Sequence, residues 1–199
     1  MIETVEQLEA LYGHPKDTST RKVADRMVPV YERWIMASRF CVLTTVGPEG
    51  TDGSPRGDDG PVVELQDEKT LLMPDWHGNN RVDSLRNIVR DPRVSLMFMV
   101  PGSTNVVRVN GKAHLTADAD MTGRFERKGA YPRSVIVIRI DEIYFQCSRA
   151  IMRSRLWTSG DESADLPSPG DMLKAMTEGE VGGADYDAEW PERARESMW

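Results

Sequence analysis

The chain of 199 residues carries 25 Lys and Arg against 32 Asp and Glu, a formal net charge of −7. That size suits one domain with a proper core plus a terminal extension, and 39% hydrophobic with 29% charged residues argues for a soluble globular fold rather than disorder. The acidic balance weighs against nucleic-acid binding, which needs a basic surface; Val94–Val100, the longest apolar run, falls far short of the roughly 20 residues a bilayer span takes; and the acidic N-terminus lacks a secretory signal, so a cytoplasmic location and no membrane partner are expected.

The first forty residues read as helical. Thr4 with Gln7 is a capping-box pattern. Val5, Leu8 and Leu11 follow at helical spacing, and Gly13 is a stop signal. A second helix is predicted from about Thr20 to Ala37, kinked or split at Pro29. Phe40–Val46 then begins a run of strands, and Gly47-Pro48-Glu49-Gly50 turns the chain into Thr51–Arg56. Gly57–Gly60 is a tight loop, and Pro61–Leu65 and Thr70–Met73 read as strands about a polar turn. The polar segment Pro74–Arg81 opens a helix over about Val82–Arg90. Val94–Val100, Val106–Leu115 and Ser134–Ile140 are further strands, with a short helix near Asp120–Arg127. Ser148–Leu156 is a helix candidate.

From Thr158 to Gly170 the composition turns to Ser, Asp, Glu, Pro and Gly, a linker signature. A short amphipathic helix is expected over Asp171–Glu178, and the last twenty residues are acidic and polar, with Trp190 and Trp199. The chain therefore divides into an N-terminal helical segment 1–39, a strand-rich domain 40–157, and a polar linker and tail 158–199. The tail either packs through Leu173, Met176 and its tryptophans, closes over a ligand, or extends over the surface. Short connections between the strands, with one convincing helix among them, favour a mainly β antiparallel barrel over a doubly wound sheet.

Generic catalytic motifs are missing: no GxGxxG follows a strand, and neither GxxxxGK[ST] nor GxSxG occurs. His14, His77 and His114 are scattered and no HExxH exists, so no metal site is expected. The two cysteines, Cys41 and Cys147, stand apart and read as free thiols. One constellation is more specific. Pro74–Arg81 lies between a strand and a helix, with Ser84 in that helix's first turn. Free N–H groups at a helix start attract anions, and Arg81 and Ser84 add a charge and a hydroxyl. A plain Asn cap with a solvated Arg81 fits the same residues. Arg56, at the end of a strand beside Gly57, and the cluster Arg149, Arg153 and Arg155 are further arginine sources.

Four segments taken together carry a resemblance: SPRGD at Ser54–Asp58, PDWHGNNRVDSLRNIVRDPRVSLMF at Pro74–Phe98, VRVNGKAHLT at Val107–Thr116 and DEIYFQCSRAIMRSRLW at Asp141–Trp157. They resemble the pyridoxamine 5′-phosphate oxidase-like superfamily, closest to its bacterial branch of probable FMN-dependent enzymes, over about residues 20–160. The resemblance implies a six-stranded antiparallel Greek-key split β-barrel with flanking helices, a homodimer, and two FMN sites at the subunit interface. It implies an FMN-dependent oxidoreductase acting on a small molecule by hydride transfer at flavin N5. A non-catalytic flavin- or haem-binding module and a deazaflavin-dependent reductase of the same fold are the alternatives. By resemblance, Asn80, Arg81 and Ser84 lie in the stretch that grips the FMN phosphate. Arg56, with Gly57 and Asp58, lies in the strand that contributes a flavin-binding arginine. Cys147 and one of Arg153 or Arg155 fall where C-terminal contacts reach the isoalloxazine edge, often from the partner chain. Ser84 falls near the place of a lysine in the oxidases that act on pyridoxamine phosphate, and their terminal arginine-and-histidine motif is not recognisable in Cys147–Trp157. Pyridoxamine phosphate is therefore not the expected substrate. No acid–base residue emerges.

Overall fold

A computed structural model describes residues 1–199. Helices α1 (Val5–Tyr12), α2 (Asp17–Arg21) and α3 (Pro29–Ile35) precede the strands. Thr4 caps α1 by accepting from the Gln7 N–H at 3.2 Å. Pro29 starts α3 instead of kinking a longer helix. The first helical position needs no N–H donor, and the fixed φ of proline suits it.

The strands are β1 (Phe40–Gly47), β2 (Gly50–Gly57), β3 (Glu64–Asp67), β4 (Thr70–Asp75), β5 (Arg93–Met99), β6 (Val106–Thr116) and β7 (Ser134–Gln146). Helix α4 (Asp83–Arg90) joins β4 to β5, and α5 (Ala119–Thr122) sits between β6 and β7. All seven strands form one antiparallel sheet in the order β2-β1-β5-β6-β7-β4-β3. Seven strands, not six, is a correction to the expected barrel. Helices α6 (Arg149–Ser154), α7 (Pro169–Met176) and α8 (Ala184–Glu196) complete the chain.

The sheet curls on itself. In a flat sheet, β2 and β4 would lie five strand spacings, about 24 Å, apart. Yet Arg56 on β2 and Asp75 on β4 form an ion pair at 2.5 Å. One apolar cluster accordingly draws on strands from across the sheet: Leu43 from β1, Met73 from β4, Phe98 from β5, Val109 from β6 and Ile138 from β7. Edge strands β2 and β3 do not pair with each other, so the curl stays open.

Two details position the site. Gly47, at the end of β1, lets α4 lie close, since a Cβ there would collide with the Asn87 side chain. Asn87 in turn donates to Thr45 Oγ1 at 3.1 Å. Ile88 is buried and Ser84 is buried beside it, so the start of α4 is held against β1 and β2. No helix is long and apolar enough to cross a membrane.

Candidate functional site

A cavity of about 1200 Å³ opens between β2, the segment from Pro74 to Leu85, and the C-terminal residues Met198 and Trp199. Strand β2 forms one wall because a strand alternates its side chains. Asp52, Ser54 and Arg56 are the partly covered residues of β2, and all three line the cavity. Asp58 follows in phase just beyond the strand. Asp52 and Asp58 are six residues apart, so they mark two regions roughly 20 Å apart along the wall.

The Asp52 end is built on α4. Ser84 donates to the Asp52 carboxylate. The N-cap of α4 is Val82, and no side chain caps the helix. This replaces the Asn cap that the sequence allowed. The N–H groups of Asp83, Ser84 and Leu85 therefore have no intrahelical acceptor. Asn80 and Val82 both take left-handed backbone, φ 60° and 52°. For a β-branched valine that conformation is strained. Arg81 between them is exposed, and its Nε donates to Asp83 at 2.8 Å. Arg133 donates to Asn80 Oδ1 at 3.1 Å.

Arg56 occupies the middle of the wall. Its Nη1 donates to Asp75 at 2.5 Å, and both side chains are 18% exposed. Its Nε is buried and has no partner within the protein. A buried guanidinium N–H left without an acceptor costs on the order of 1–3 kcal/mol.

The Asp58 end is aromatic. Asp58 is 4% exposed at its side chain. It accepts from Trp76 Nε1 at 2.9 Å and from Arg127 at 3.2 Å. The rings of Trp76 and Trp199 meet edge to face, with centroids 5.2 Å apart at 83°.

Carboxylates outnumber guanidinium groups on the lining: Asp52, Asp58, Asp59, Asp75 and Asp83 against Arg56, Arg81 and Arg133. Each carboxylate already has a donor or a cation: Ser84, Trp76 with Arg127, Arg39, Arg56 and Arg81, respectively.

Six of the nine residues singled out from the sequence line this one cavity: Arg56, Gly57, Asp58, Asn80, Arg81 and Ser84. Cys147, Arg153 and Arg155 do not line it. Cys147 is exposed just after β7. Arg153 lies in α6, and Arg155 ends that helix at φ 51°. Trp157 Nε1 donates to the Ser103 carbonyl at 2.8 Å, tying this region to the β5–β6 turn. Sequence reasoning did not single out Asp52, Arg133 or Trp199 individually; Asp75 lay within the Pro74–Arg81 segment, and Trp199 within a tail expected to pack, close over a ligand or extend. Asp52 carried a signal, since it shares the two-residue period of Arg56 and Asp58. Trp199 carried none, because only the tertiary fold brings it there.

No curated protein matches the chain. Among solved structures, a HupZ variant of Group A Streptococcus superposes with a TM-score of 0.50 at 15% identity, covering 60% of this chain and 100% of that chain. A candidate pyridoxamine 5′-phosphate oxidase of Lactobacillus delbrueckii gives 0.49 at 20% identity, over 61% and 95% of the two chains. An FMN-binding protein of Syntrophomonas wolfei gives 0.44 at 12% identity, over 59% and 90%. At 15% identity, the likeness to the HupZ variant is one of fold. The model of the pyridoxamine 5′-phosphate oxidase family matches residues 27–147, a span that takes in every strand from β1 to β7 as well as Arg56, Arg81 and Ser84, so the chain belongs to that family.

Proposed function

We propose that the chain binds FMN in the cavity between β2 and the start of α4 and serves as an oxidoreductase acting on a small molecule. The observation that carries this reading is Arg56, a partly covered cation on the wall of that cavity whose buried Nε has no acceptor in the protein. The rest of the lining fits the cofactor. Arg81 and the uncapped N–H groups of α4 offer donors suited to a phosphate, and the Ser84 hydroxyl joins them by turning its one proton away from Asp52. Asn80 holds the bend that presents them. Trp76 suits a planar ring system at the other end, beside the Gly57-Asp58 turn. The cavity volume exceeds that of most small-ligand sites.

A bound flavin supplies hydride transfer at its N5. The protein's own part is to bind, orient and shield. Arg81 exchanges its contact with Asp83 for the phosphate. Ser84, buried and held by Asp52, donates to the phosphate by giving up its bond to the Asp52 carboxylate. Arg56 is held by Asp75 through Nη1, and its buried Nε gains an acceptor when the side chain turns toward the cavity. No side chain of the cavity is assigned as a proton donor, and hydride transfer to a flavin does not require one. Cys147 and one of Arg153 or Arg155 meet the flavin only from a second copy, in a homodimer with FMN at the interface. Light scattering that found a monomer with FMN bound would overturn that part.

The decisive experiment compares FMN with riboflavin, which lacks the phosphate. A charge-assisted hydrogen bond contributes on the order of 1.5–3 kcal/mol. Arg81→Ala should therefore weaken FMN by roughly ten- to a hundredfold and leave riboflavin nearly unchanged. Arg81→Lys should recover part of the loss, since an ammonium restores charge without the planar fork. Equal losses for both ligands, or none for either, would remove Arg81 from the phosphate site.

A further inference from the structure

Helix α8 ends at Ser197, whose N–H bonds the Arg193 carbonyl, and the chain then runs to Trp199. Both Met198 and Trp199 line the cavity. This wall comes from outside the family-matched region, which stops at Cys147.

The contact is organised by more than one group. Asp58, nearly closed off from solvent, uses one carboxylate oxygen to fix the Trp76 indole at 2.9 Å and the other to fix Arg127 at 3.2 Å. Trp76 presents its ring to Trp199 at 5.2 Å, and the Arg127 guanidinium lies 5.8 Å from the Trp199 ring. Trp199 thus rests on a platform of one indole and one cation, both held by the same buried carboxylate. Edge-to-face pairing and cation–π attraction act together on it. The other tail tryptophan lacks such a seat: Trp190 is 54% exposed and meets Arg193 of its own helix.

We propose that Trp199 is a retention residue for the cavity, a strap across its aromatic end that slows escape of a planar ligand. It is a positioning residue, not a catalytic one. The inference rests on the reading of the cavity as a flavin site. With the phosphate held at the Asp52 end, the ring system lies toward Trp76, and its release requires Trp199 to leave the Asp58 platform. The strap then acts on the off-rate more than on the encounter.

Two measurements test this. The first needs no ligand. Two indoles this close couple their transitions, giving an exciton couplet in the far-ultraviolet circular dichroism. Trp76→Phe and Trp199→Phe should each abolish it, and Trp190→Phe should not. A couplet that survives Trp199→Phe overturns the packing. The second follows FMN release by stopped-flow fluorescence. Trp199→Ala should release FMN about tenfold faster with little change in the on-rate, and expose the flavin to iodide quenching. Trp199→Phe should keep most of the retention, because it restores an aromatic edge. Normal FMN binding with an off-rate unmoved by Trp199→Ala overturns the strap and leaves the flavin reading standing. Wild-type protein that binds no flavin, with the couplet present, overturns the flavin reading and the retention role together.

Discussion

Between Phe40 and Gln146, inward side chains such as Leu43, Leu71, Leu96, Ile136 and Ile138 are wholly lost to solvent. Beyond Cys147, Gly170 is the one buried residue. The barrel is held by ladder hydrogen bonds and a cluster of 19 buried apolar residues. The extension is held by caps and polar bonds. Ser168 and Asp171 form a capping box on α7, and Asp187 of α8 accepts from Ser168 Oγ at 2.5 Å and from the Gly170 N–H at 2.8 Å. Apolar burial scales with area, whereas each exposed polar bond adds little net stability. The lesson is that one cavity has walls of two stabilities, a stiff one from β2 and β4 and a looser one from the segment ending in Trp199.

The contrast breaks most readily in the core. Ile138→Ala on the interior strand β7 should cost about 2–5 kcal/mol in urea denaturation and take the barrel and the cavity down together. A loss under about 1 kcal/mol would mean that the core is not where the stability resides. In the extension, Asp187→Ala should cost α7 and α8 about 1–2 kcal/mol locally while leaving the main unfolding transition in place. Limited proteolysis should then cut between Ser168 and Trp199 many times faster than in the wild type. A shifted main transition would join the two regions into one cooperative unit.

The two thiols sharpen the difference by chemistry. Burial pushes the Cys41 thiol up to about 12, only partly opposed by the nearby Arg56 charge. Since the thiolate is the nucleophile, a disulfide reagent should label exposed Cys147 quickly and Cys41 only on unfolding. The sign for stability follows from linkage. The folded value lies above the ordinary 9.0, so the contribution of Cys41 is fully present below pH 9 and is lost as pH rises toward 12. Over that window the barrel should lose up to about 1.4 kcal/mol per pH unit from this group. Cys41→Ala should flatten that slope.

The smallest expected effect runs opposite to the usual direction. Asp83 holds Arg81 and also faces the proposed phosphate. Asp83→Asn should tighten FMN by about three- to fivefold, in keeping with an exposed ion pair worth up to about 1 kcal/mol. Riboflavin should not respond. Weaker FMN binding in this variant would show that Asp83 orients Arg81 more than it competes for it.

Much of the fold was legible because the relevant signals are local. The β-branched and aromatic run Phe40–Val46 and the apolar run Ser134–Ile140 both became strands. Others failed for stated reasons. Val62 and Val63 read as strand residues, yet they are buried ahead of β3, filling the core from a bend in the chain. Strand β7 runs on to Gln146 past the charged pair Asp141-Glu142, because a bulge at Asp141, opposite the Asn110–Gly111 step of β6, takes up the extra residue. Helix α8 is polar on every side and contains Pro191, so no apolar period announced it. Within the site, the Arg56 and Arg81 neighbourhoods could be read from strand ends and a helix start. Their convergence depends on the curl of the sheet, a long-range property with no local signature.

Strand β2 is the outermost strand on its side of the sheet, pairing only with β1. An open edge of that kind invites another molecule's strand to add to it. The sequence GTDGSPRG resists this. Pro55 withholds an N–H, the glycines weaken the strand, and Asp52 and Arg56 keep it charged. The same polar side chains face the cavity, so the composition that equips this strand to meet a ligand also keeps its free edge from polymerising. Substitutions that give β2 a more regular, apolar character should therefore damage solubility and ligand recognition at once.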